Sequence, residues 1–247
     1  KEHVHFAPLI AWVNPYTAEV VSSRFWGDFV MTWIYDLHYA LLLDKTGKIV
    51  MGVIGLLLLV TVFIGLYLWW PKTGKFKSAL TFKANASPER FHYDLHKISG
   101  FYGLILLVFL LFSGALLELP DYLNPVINKI SQLSKVGDYA SSPQENRPRL
   151  PIDAAVAVAT RAFPKARLRW IETPDTPQDS YNIRLYQEGE PSLRFPKTIV
   201  WIDQYGGEVL AKKEPAKESA GDVFLNWMHP LHSGEIAGMT GRILVAI

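Results

Sequence analysis

The chain has no cysteine. Disulfides, iron–sulfur clusters and thiolate catalysis are therefore excluded. A nucleotide-binding glycine motif, a catalytic triad signature and an HExxH zinc motif are also missing. The formal net charge is only +2, so nothing in the charge balance supports nucleic-acid binding. Charge is absent in a more telling way from two long runs, Ile49–Trp70 and Ile98–Leu117, which contain no Asp, Glu, Lys or Arg. At about 1.5 Å per residue, each run covers roughly the 30 Å of a bilayer core. A buried helix of a soluble core rarely runs so long without a charge. The composition thus predicts a membrane protein with at least two spans.

What is present is organised as a repeat. Gly27–Val50 recurs as Gly221–Leu244 with no gap. Gly27-Asp28 falls on Gly221-Asp222, Trp33 on Trp227, Leu37-His38 on Leu231-His232, and Thr46-Gly47-Lys48-Ile49 on Thr240-Gly241-Arg242-Ile243. Upstream, after a five-residue slip, Trp12–Val20 parallels Trp201–Val209. Matches this dense at one spacing point to an internal duplication. Each copy carries Leu-His ahead of an apolar run. The symmetry of the repeat also leads us to expect a fragment of a longer protein, with one helix before Lys1 and most of another after Ile247.

Read in order, residues 1–26 form the tail of a first small domain, with strand, turn and strand over Trp12–Val21. Residues 27–70 hold an aromatic-rich surface helix over Phe25–Leu43, then a membrane helix closed by Trp69-Trp70-Pro71. Residues 71–97 are a loop and helix start. Here Lys72, Lys75, Lys77, Lys83, Arg90 and Lys97 outnumber Glu89 and Asp94. In so short a loop this excess of cations predicts the cytoplasmic side, with both flanking segments outside. Ser87-Pro88-Glu89 reads as a helix start. Residues 98–119 are the next span. Residues 120–226 hold a surface helix and linker over Asp121–Asn146, then an α+β domain. Its elements are a helix over Ile152–Phe163 and strands over Arg167–Glu172, Tyr181–Gln187, Thr198–Asp203 and Glu208–Lys212. Residues 227–247 start a last membrane helix.

The run Ile152–Ala159, Phe163-Pro164, Val200-Trp201-Ile202-Asp203 and Gly207-Glu208-Val209-Leu210 resembles a PepSY domain. The segments around His38, Thr46-Gly47-Lys48, Gly65–Lys72 and Arg90–Gly103 resemble the PepSY-associated membrane-helix family. That family includes inner-membrane ferric-siderophore reductases of the ferrioxamine-reductase type. The resemblance implies a mainly α membrane protein: a bundle of four transmembrane helices, two of them complete here, with periplasmic α+β PepSY domains. It also implies b-type haem, with two groups expected.

Five histidines sit at the membrane boundaries: His38, His92, His96, His229 and His232. His3 and His5 lie near the start of the chain and read as surface residues. An ionisable residue at such a depth is costly unless it has a function. Haem iron takes neutral imidazole, and helices of a bundle can offer one from each side. For any single histidine the plainer reading is an interfacial hydrogen-bonding residue. The repeat strengthens His38 and His232, which occupy equivalent points and suit one outer haem as a pair. His96 suits an inner haem, with Gly100 and Gly103 following on about the same helix face and leaving room for a flat macrocycle. Close helix packing through small residues is the alternative use of those glycines. The partner of His96 would lie on the helix before Lys1, and His92, four residues away, is the substitute. His229 has Tyr35 as its counterpart and is the weaker outer candidate, or else lines the substrate face. Arg24, Arg147, Arg149 and Arg194 receive no role, and no catalytic side chain is assigned.

The expected function is a di-haem reductase carrying electrons from a cytoplasmic-side or membrane donor to a periplasmic ferric siderophore, releasing Fe(II). A haem carrier serving a quinone or another periplasmic acceptor is one alternative. The other is a PepSY membrane protein that binds or restrains a partner and catalyses nothing.

Overall fold

The computed structural model describes residues 9–71, 74–135, 137, 139–144 and 147–246; His3, His5 and Lys72 lie outside them. The chain divides into two compact units, 1–120 and 121–247.

The first unit opens with a hairpin, β1 (Leu9–Val13) and β2 (Val20–Phe25), paired antiparallel. A short helix follows, α1 (Val30–Ala40). It is briefer than the aromatic run suggested. Phe25 is taken into β2, Gly27 adopts φ +93°, and Leu41 and Leu42 adopt φ 50° and 58°, which no helix interior accommodates. Then come α2 (Asp44–Trp69), the single turn α3 (Phe76–Ala79) and α4 (Pro88–Glu118). Helices α2 and α4 are long and apolar enough to cross a membrane, with mean hydropathy 2.9 and 2.3 over their best windows. Very little of either is covered by the rest of the chain. Long apolar helices that stay uncovered suit lipid and not a soluble core.

The two spans meet through small residues. A Cβ added at Gly52 would lie 2.4 Å from the Leu119 side chain, and one at Gly55 would lie 3.8 Å from Ala115. Ser113 and Ala115 are buried in the same contact region of α4. This is the close approach that membrane helices use in place of a hydrophobic driving force.

The second unit begins with α5 (Pro120–Ile130), a linker, and α6 (Ile152–Ala162). Four antiparallel strands follow in sequence order: β3 (Arg167–Glu172), β4 (Ser180–Tyr186), β5 (Thr198–Asp203) and β6 (Val209–Lys213). Ala155 and Ala159 of α6 pack with Tyr181, Ile183, Leu185, Val200 and Ile202 to form the core. Strand β4 alternates in burial, as a strand with one covered face should, whereas β5 is buried at every residue. The unit closes with α7 (Ala220–His232), a 3₁₀ turn at Glu235–Ala237 and α8 (Gly238–Ala246).

Two local geometries recur in the two units. In the first hairpin the register slips between Trp12, opposite Ser22, and Val13, opposite Val20. In the β5–β6 hairpin it slips between Trp201, opposite Ala211, and Ile202, opposite Val209. At the following helix–helix turns, a Cβ on Gly47 would lie 1.6 Å from the Ala40 carbonyl oxygen, and one on Gly241 would lie 2.2 Å from that of Gly234. No side chain fits at either place.

A candidate cofactor site at the histidine helices

Helix α4 starts on local chemistry. The Ser87 hydroxyl accepts the Arg90 N–H at 3.4 Å, and Pro88 takes the first turn, where its missing N–H costs nothing. Asp94 is completely buried. Its carboxylate accepts the Lys83 backbone N–H at 3.0 Å, the Lys97 ammonium at 2.8 Å and the Arg90 Nε at 3.3 Å. Three donors on one carboxylate satisfy its burial and tie the preceding loop to the helix.

That anchoring turns another face of α4 outward. His92 and His96 are both exposed. Four residues apart, they lie one above the other, and Gly100 and Gly103 continue the same stripe. A Cβ at Gly100 would meet no described atom within 4 Å, and one at Gly103 would meet only the Leu107 methyl at 3.8 Å. Close packing to α2 falls instead to Gly52 and Gly55. Among the described residues, then, the stripe beyond His96 is an open shelf and not a helix contact. A flat apolar group fits there.

His38 occupies the last turn of α1 and is exposed. Its helix is set by Trp26, whose Nε1 donates to both Asp36 oxygens at 2.9 and 3.0 Å. The Tyr35 ring stacks on Tyr39 at 5.4 Å and meets Trp26 edge-on.

His229 and His232 fall in the last turn of α7. This helix is fixed at its start by a capping box between Ser219 and Asp222. Asp222 also accepts the Ser134 hydroxyl at 2.7 Å, and the Ser131 hydroxyl accepts the Gly221 N–H at 2.9 Å. At the other end, the Phe195 ring meets the His229 imidazole edge-on at 4.7 Å. His229 Nδ1 is buried without a hydrogen-bond partner. Burial pushes the His229 pKa down, Arg194, Lys197 and His232 push the same way, and Glu235 opposes them.

Glu235 follows one turn later. Its carboxylate accepts the Ser192 hydroxyl at 2.8 Å, the Leu193 N–H at 2.9 Å and the Arg194 N–H at 3.2 Å. It pins the loop carrying Phe195 to the end of the histidine helix. Burial works to raise the Glu235 pKa, but these donors, with Arg242, outweigh it and hold the carboxyl low.

The structure thus places His92 and His96 on one face of α4 and His229 and His232 on one turn of α7. His38 belongs to the first unit and His232 to the second. Among the described residues no cluster of three or more His, Asp or Glu side chains could hold a bare metal ion. A cleft of about 490 Å³ in the second unit is lined by Tyr139, Trp201, Lys212 and their neighbours and by no described histidine. Asp94 and Glu235 escaped the sequence reading. Asp94 had a local signal, since Arg90 and Lys97 lie four and three residues from it. Glu235 had none, because its partners lie some forty residues upstream.

No curated protein matches the chain. The family model for the PepSY-associated TM region matches residues 4–247. Two uncovered apolar helices, an α+β unit and a match over nearly the whole length make this chain a member of the PepSY-associated TM region family.

Proposed function

We propose that the chain belongs to an inner-membrane, di-haem b-type reductase that passes electrons from the cytoplasmic side to a ferric siderophore in the periplasm. The observation that carries this reading is the open shelf beyond His96. A histidine at a membrane boundary, followed on the same face by two glycines that pack against no other described element, suits the edge of a macrocycle. The buried Nδ1 of His229, which has no hydrogen-bond partner among the described residues, adds support at the other histidine helix.

His96 would hold the inner group, with His92 as the alternative ligand. His38 and His232 would hold the outer one as a pair. Haem b, when bound, supplies the one-electron chemistry. The protein's part is to offer neutral imidazoles, exclude water with apolar helices and set the distance between the two faces. The pairing rests on an internal duplication, which the shared hairpin slip and the two forbidden Cβ positions support. The basic stretch Pro71–Lys97 favours the cytoplasm for that loop, and thus the periplasm for the sheet-bearing unit. Reduction of Fe(III) to Fe(II) weakens its hold on hard oxygen ligands and releases it.

The test uses the intact protein, reduced in advance. It should be reoxidised by an Fe(III)–siderophore, with Fe(II) appearing in a ferrozine trap, and His232→Ala should stop the transfer. If the reduced protein ignores a panel of ferric siderophores and is reoxidised rapidly by a quinone, the quinone-linked carrier replaces this reading.

A further inference from the structure

The edge of the sheet carries a surface that the histidines do not use. Strand β3 is an edge strand, exposed at all six residues. Two of its side chains bind the backbone of the loop that Glu235 pins. Arg169 Nε donates to the Leu193 carbonyl at 2.9 Å, and Trp170 Nε1 donates to the Arg194 carbonyl at 2.7 Å. The Trp170 ring stacks on Phe195 at 5.9 Å with an interplanar angle of 19°. The Arg194 guanidinium lies 5.1 Å from the same Phe195 ring. The rings therefore form a column, Trp170 stacked on Phe195 and Phe195 edge-on to His229, with Arg194 against the middle ring and Arg169 next to Trp170 in the strand.

Two cations on this surface lack a carboxylate partner among the described residues. Nearby carboxylates are already engaged. Glu172 pairs with Arg184 at 2.9 Å, Glu190 accepts the Thr198 hydroxyl at 2.7 Å, and Glu235 holds the loop N–H groups. Among the described residues Arg169 and Arg194 enter none of the ion pairs. Trp170 remains 45 % exposed and Leu193 43 %. Two guanidinium groups beside an accessible indole provide charge attraction and a flat contact face at once. The Leu193 carbonyl fixes the Arg169 guanidinium and the Phe195 ring carries that of Arg194, so little order must be lost on binding.

We propose that the Arg169–Trp170–Arg194 surface docks a small anionic metal chelate. Under the reductase reading above, on which this identification rests, the chelate is the electron acceptor. Docking there sets it on the ring column that ends at His229, three residues from His232. Proteins and nucleic acids are poorly served by a patch this small, whereas a compact multivalent anion engages both arginines together.

Hexacyanocobaltate(III), a compact trianion that is not readily reduced, probes the surface without any redox step. Equilibrium dialysis against the intact protein in nanodiscs should show saturable binding that weakens as salt rises. The Arg169→Gln/Arg194→Gln pair should weaken it at least about fivefold. Arg161→Gln/Lys165→Gln removes the same charge elsewhere on the unit and should change it less than about twofold. Circular dichroism of both variants checks the fold. No binding, or equal losses in the two variants, overturns the surface whatever the haem content. A second arm reoxidises the reduced protein with ferricyanide or with cationic hexaamminecobalt(III). The Arg169/Arg194 variant should be slowed severalfold with the anion only. If anion binding depends on the arginines while no haem is found, the reductase reading fails and the anion site stands.

Discussion

Gly47 and Gly100 are both helical glycines, and they sit in opposite surroundings. A methyl at Gly47 would fall 1.6 Å from the Ala40 carbonyl oxygen, against backbone atoms that cannot yield as a flexible side chain could. Gly47→Ala should therefore prevent the α1–α2 turn from closing, seen as loss of folded protein on size-exclusion chromatography. Gly100→Ala points into open space and should leave folding unchanged or improve it by about 0.5–1 kcal/mol, since alanine is the better helix former. Gly100→Leu should fold equally well yet lose the inner haem, because its side chain fills the shelf beyond His96. A Gly100→Leu protein with full haem content would remove the cradle. Acid sensitivity is set at this scale too. His229 has a folded pKa below its ordinary 6.5, so protonation favours the unfolded chain and stability falls as pH drops through about 6.5. Glu235 and Asp222 have folded pKa values below 4.5 and 3.8, so the stability they contribute is present above those values and lost below them. Thermal melts from pH 8 to 3 should fall in two steps, and His229→Phe should flatten the first.

Whole elements depend on anchors at their ends. Helix α7 is capped by Ser219, and Ser219→Ala should cost about 1 kcal/mol and fray its first turn, measurable as faster amide exchange at Val223. Helix α4 is tied to the preceding loop by Asp94, so Asp94→Asn should release that loop and speed its cleavage by trypsin while the span stays helical. These anchors also mark how much of the fold could be read in advance. Ser87-Pro88-Glu89 announced the start of α4, because capping is chemistry within four residues. Strands β3 and β5 fell at the residues their alternation suggested, and α6 came within one residue of its expected end. Helix α1 came out shorter than expected, because an aromatic-rich run says nothing about the positive φ angles at Gly27, Leu41 and Leu42. The Glu235 latch was illegible for a related reason. Its partners are set by how the sheet loop folds back, and no spacing rule connects residues so far apart.

For the whole molecule, the two long apolar helices were legible because lipid demands uncharged length. The site was legible only in part. The histidines stood out, but how they are grouped is a question of tertiary placement. The basic loop gives the orientation its own check. Tags in Pro71–Lys97 should be cytoplasmic and tags near Pro143 periplasmic, and protease cleavage of the first loop in intact spheroplasts would reverse the assignment. In the proposed reductase, two histidine helices share one outer haem while α4 holds another. The direct measurement is the dithionite-reduced minus oxidised visible spectrum of the intact protein and its variants, normalised to protein. The expected result is b-type bands from two haems, loss of the same one in His38→Ala and in His232→Ala, and loss of the other in His96→Ala. A spectrum without b-type bands, or full haem content in both His38→Ala and His232→Ala, would contradict it.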